Sequence, residues 1–146
     1  MFVLVTISML LEIAMRFVGL LLLALGLAHI VYPTVFGWKD ELQKVSLWTR
    51  QVFYSHEFFV ALTVAAQGAL CLFWPQALIE RSLLARLVLS FLALFWLCRL
   101  CFQFLHYDKS LWRGNRFKTL AHVAFSFLWM GLTVVFSWAL WQHFQL

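Results

Sequence analysis

Four long apolar runs, each bounded by charged residues or turn formers, dominate this chain and restrict its fold more than any other feature. A hydrocarbon core of roughly 30 Å is crossed by about 20 residues of α-helix at 1.5 Å per residue. The runs cover about 12–32, 52–73, 84–106 and 120–141. Pro33 ends the first, because proline cannot continue a helix and disfavours the helical region for the residue before it. Trp74 and Pro75 end the second in the same way. Between the runs lie Gly37 to Glu41, Gln76 to Arg81, and Asp108 to Lys118 with Gly114 and Asn115.

With 64% hydrophobic and only 12% charged residues in 146 positions, the chain carries more apolar surface than a soluble fold buries. The reading is an all-α integral membrane protein, a single transmembrane domain over 1–146 built as a four-helix up-and-down bundle. Membrane β-strands would need period-two alternation over about ten residues, which these continuous runs lack. Met1 to Leu11 has neither the basic start nor the small-residue cleavage site of a secretory signal. It is read as retained, either extending the first helix or leading into it. In the first case Glu12 and Arg16, four apart, pair on one helical face.

Lysine and arginine in short loops govern insertion. One face of the bundle collects Lys39, Lys44, Arg50, Lys109, Arg113, Arg116 and Lys118; the other has Arg16, Arg81 and Arg86. This puts both termini outside and loops 33–51 and 107–119 in the cytoplasm, in a plasma or inner membrane. There the basic groups meet anionic headgroups. Trp38, Trp48 and Trp112 towards one face, with Trp74, Trp138 and Trp141 towards the other, suit the interfacial aromatic belts. The net charge of +5 is accounted for by this asymmetry, so no nucleic-acid partner is implied.

Polar residues inside the runs are costly unless they face a partner or a cavity. His56, Thr63 and Gln67 recur on one stripe of the second helix; Arg99, Gln103 and His106 do so on the third. His122, Ser126, Trp129, Thr133 and Ser137 form the stripe of the fourth. The first helix offers His29, with Gly19 and Gly26 seven apart as a close-packing face. These stripes predict a polar interior in the cytoplasmic half of the bundle. Interhelical hydrogen bonding is the ordinary use of the Ser, Thr and Gln members, worth about 0.6 kcal/mol per contact.

Arg99 is more demanding, since it lies about two turns inside the predicted end of its helix, where a lone guanidinium costs at least about 2.5 kcal/mol. Glu57 is the expected ion-pair partner and Asp108 the second choice. The pair would act as a packing clamp, or Arg99 would bind an anionic headgroup or tune a cofactor.

His29, His56, His106 and His122 lie near helix ends that the alternation brings to one face, which makes them candidate ligands for a transition metal or haem. Interfacial hydrogen bonding is the competing use. The spacing matches no His-Glu-x-x-His, Glu-x-x-His or Cys-x-x-Cys-His motif. Cys71, Cys98 and Cys101 read as small buried thiols. Asp40 reads as an N-cap for a short amphipathic helix from Glu41 to Trp48, and Ser110 to Lys118 as a surface-lying segment.

The stretch Gly26-Leu27-Ala28-His29, followed by Pro33 and Phe36, resembles the end of the first helix in some DoxX-like four-helix membrane proteins. The resemblance spans about a dozen residues, and it assigns no functional residue. Three function classes are left. The first is a noncatalytic or accessory subunit of a larger membrane complex, with a polar pocket that includes Arg99, Glu57, Gln103 and Gln67. The second is a haem- or metal-binding redox protein or enzyme, and the third a small-molecule or lipid-binding carrier.

Overall fold

The structure is a computed structural model and describes residues 2–145. It is helical throughout, with no strand among the described residues. Four helices are long and apolar enough to cross a membrane: α1 (Phe2–Ala28, its apolar span Thr6–Ala28), α4 (Leu47–Phe73), α6 (Leu83–Leu105) and α7 (Arg116–Gln142). Short helices α2 (Tyr32–Val35), α3 (Trp38–Leu42) and α5 (Pro75–Ile79) and one 3₁₀ turn (Lys109–Leu111) fill the connections.

Local chemistry fixes where each long helix begins and ends. Ser46 caps α4 by accepting from the Thr49 amide at 3.2 Å, Ser82 caps α6 through Ala85 at 3.0 Å, and Asn115 caps α7 through Lys118 at 3.0 Å. These three helices therefore start one to five residues ahead of their apolar runs. The first helix ends earlier than its run. Proline would meet the carbonyl four residues back, so α1 stops at Ala28 and tightens into turns, Ile30 to Leu27 and Val31 to Ala28. Pro33 then sits in the first turn of α2, where its missing amide costs nothing. Asp40 lies inside α3 rather than capping it; Gly37, at φ 74°, takes the N-cap, and Ser46 ends the anticipated 41–48 helix.

The chain divides into two compact units, one running Glu12–Pro75 and the other joining the segment through Leu11 to everything from Gln76 onward. In the first unit α1 and α4 run antiparallel at close range because glycine faces backbone. A Cβ at Gly19 would lie 2.6 Å from the Leu72 amide, one at Gly68 2.8 Å from Leu23 N, and one at Gly26 3.1 Å from Ala65 Cβ. Arg16 closes that unit by donating to Glu12 at 2.9 Å and to the Leu72 carbonyl at 2.9 Å. In the second unit α6 and α7 pack antiparallel, with Trp96 stacked on Trp129 at 5.2 Å and Leu89, Leu92, Leu132 and Phe136 buried.

Candidate functional site

A polar constellation in the α6–α7 unit is centred on Gln103, only 4% exposed. Its Oε1 accepts from Arg99 Nη1 at 3.1 Å and from the Trp129 indole N–H at 3.3 Å. Guanidinium and indole nitrogens only donate, so this atom must be the oxygen and its neighbour the amide nitrogen. The amide nitrogen donates to His122 Nδ1 at 2.7 Å. Neutral His122 therefore carries its proton on Nε2.

Aromatic rings enclose the group. Trp112 stacks on His122 at 3.8 Å with planes 10° apart, and Phe104 meets it edge-on at 6.1 Å. Arg99 lies over the Trp129 face at 4.8 Å and over Tyr107 at 5.7 Å. Ser126 and Thr133 return their hydroxyls to the His122 and Trp129 carbonyls one turn back, which satisfies them within α7. Among the described residues they carry no interhelical bond.

The structure thus brings Arg99, Gln103 and His122 together, and adds Trp112 and Tyr107. Those two come from the connection after α6, where sequence reasoning sees interfacial aromatics and turn formers only. Asp108 turns to its own loop. It accepts from the Ser110 amide at 2.7 Å. Hydrogen bonds from Ser110, with Lys109 beside it, hold its carboxyl below the usual carboxylate range.

The other residues singled out in the sequence have separate surroundings. On α4 the buried face is Val64, Gln67, Gly68 and Cys71, so Gln67 points inward while His56 and Thr63 are exposed. The expected stripe is rotated because the glycine contacts with α1 set the orientation of α4. Glu57 is half-buried, and its Oε1 is enclosed with no hydrogen-bond partner among the described residues. Arg99 takes its neutral partners from its own unit, whereas Glu57 belongs to the unit of α1 and α4.

His29 Nδ1 donates to the Leu25 carbonyl at 2.7 Å and His56 Nδ1 to Val52 at 2.8 Å, which leaves each with a lone pair on Nε2. His29 also begins an aromatic succession through Tyr32, Phe36 and Trp38 to Phe53. His106 is exposed between Phe102 and Tyr107. Among the described residues no group of three or more His, Cys, Asp or Glu is placed to hold a metal ion. Cys71 is buried as expected, but Cys98 and Cys101 are exposed on α6, since its inward positions are taken by Trp96, Arg99 and Gln103.

His143, away from this cluster, is buried and donates from Nε2 to the Leu78 carbonyl at 2.8 Å, tying the end of α7 to α5. Comparison of the chain with protein-family models, curated proteins and solved structures finds no match.

Proposed function

We propose that the chain is a four-span membrane protein, its helices arranged as an up-and-down bundle, and that it serves as a noncatalytic accessory subunit of a larger membrane complex. Both termini lie outside in this reading, and loops 33–51 and 107–119 face the cytoplasm, where anionic headgroups meet their basic residues.

One observation carries the subunit reading. Glycine inside a helix costs about 1 kcal/mol relative to alanine, and membrane helices keep it where another helix backbone comes close. Gly19, Gly26 and Gly68 each meet such a backbone. Gly131, midway along α7, has nothing within 4 Å of the position its Cβ would occupy. It shares an exposed α7 face with Ala124, Phe127 and Val134, at helical spacing. A partner helix crossing at Gly131 would make use of the missing side chain.

The test is to purify the tagged chain from its own membranes in mild detergent, with and without Gly131→Ile. The wild type is expected to carry stoichiometric partner polypeptides and the variant to lose them, with an unchanged unfolding midpoint. A wild type that runs alone, or only with copies of itself, would overturn the subunit reading. Partners retained by the variant would overturn the choice of face.

A further inference from the structure

We propose that Arg99 and the groove beside it form a binding site for an anionic phospholipid, with the phosphate on the guanidinium and one acyl chain lying along α6. The inference shares the membrane-spanning reading above but is independent of the subunit role.

Arg99 sits six residues before the end of α6 at Leu105, about 9 Å along the helix axis. Its guanidinium is bonded to Gln103, one turn nearer the helix end, and lies over the rings of Trp129 and Tyr107. Its partners there, an amide oxygen and two ring faces, are all neutral. Only one N–H is committed to Gln103, which leaves the fork that grips phosphate in paired, charge-assisted bonds.

The apolar part of the site is a groove of about 370 Å³ lined by Phe91, Leu94, Phe95, Cys98 and Phe102, with Arg99 towards its outer end. From residue 99 back to residue 91 it follows α6 inward for about 12 Å. A head at the interface and a tail directed into the bilayer is the geometry of a lipid. The connection at the same end of α6 supplies Lys109 and Arg113, and the first turn of α7 Arg116 and Lys118, which concentrate anionic lipid around the site. A carboxylate from a partner helix would neutralise Arg99 equally well, but it would have no use for a groove running inward.

Cys98 lines the groove, and Cys101, also exposed on α6, does not. The two thiols give an internal comparison. The full chain in detergent is titrated with phosphatidylglycerol or phosphatidylcholine of the same acyl chains, and N-ethylmaleimide modification of each thiol is followed by mass spectrometry. Phosphatidylglycerol is expected to slow modification of Cys98 relative to Cys101 by about tenfold, the effect of one charge-assisted contact. Phosphatidylcholine should leave the ratio nearly unchanged, and Arg99→Gln should abolish the protection.

Equal protection by the two lipids would overturn the proposal, and that comparison uses the unaltered chain, so it stands even if the variant fails to fold. Protection that survives in Arg99→Gln would also overturn it. A polypeptide lost in Arg99→Gln, with Cys98 indifferent to either lipid, would assign the site to a partner helix instead.

Discussion

Gln103 holds three groups at once. Arg99 and the Trp129 indole are pure donors, so they need its oxygen, and His122 receives the amide proton that remains. Replacing Gln103 with leucine keeps the volume and removes all three bonds. The expected cost is about 1–3 kcal/mol, because the enclosed Trp129 N–H is left unsatisfied. Thermal unfolding in detergent measures it. The same variant should change the ¹⁵N spectrum of His122: wild type shows Nδ1 unprotonated and hydrogen-bonded, whereas Gln103→Leu admits the Nδ1–H tautomer. An unchanged His122 spectrum would mean that the amide does not set the tautomer. At this scale the sequence revealed the residues but not their partners. Helical periodicity brought Arg99 and Gln103 onto one stripe and His122 and Trp129 onto another. Which neutral groups would surround the guanidinium depended on how α6 faces α7, and Trp112 reaches His122 only through the turn at Gly114, φ 86°.

The boundaries of α4, α6 and α7 follow their apolar runs to within about five residues, whereas α1 starts ten residues ahead of its run; polar caps lie outside the apolar runs and move the other three starts towards the N-terminus. Ser46, Ser82 and Asn115 do this for α4, α6 and α7. The seven-residue spacing of Gly19 and Gly26 announced a close contact, while its other side, at Gly68, carried no comparable signal. That contact makes a direct contrast with α7. A methyl group at Gly19 would meet the Leu72 amide at 2.6 Å and the Gly68 carbonyl at 2.8 Å, and backbone cannot rotate aside. Gly19→Ala should therefore destabilise the α1–α4 pair by about 1–3 kcal/mol, as overpacking does. Gly131→Ala meets nothing and should leave the isolated chain as stable, or more stable by up to about 1 kcal/mol from helix propensity. Unfolding midpoints of the two variants in the same detergent check both. Equal effects would remove the distinction between a filled and an unfilled glycine position, and with it the argument for a partner at α7.

Across the whole molecule, membrane topology rests on parity and charge, which make separate demands. Loops 33–51 and 107–119 are separated by two long helices, α4 and α6, so they share a side whenever both helices cross. Single cysteines in place of Lys44 and Arg113, in a chain whose own three cysteines are alanine, should react with an impermeant maleimide from the same side. Reaction from opposite sides would mean that α4 or α6 fails to cross. Which side it is follows from charge alone. Seven lysines and arginines lie towards those loops and three towards the other face, with Arg99 the remaining one of eleven. Glutamine at Lys39, Lys44, Lys109 and Arg113 reduces seven to three and abolishes the difference. The same cysteine assay, with the reporters moved to Gln43 and Ser110, should then find a mixture of orientations, because the positive-inside bias has gone while hydrophobic length is untouched. A population that stays uniformly oriented would show that something other than the loop charges sets the topology. Insertion of α1 itself is the first alternative to test, since the first span usually dominates insertion.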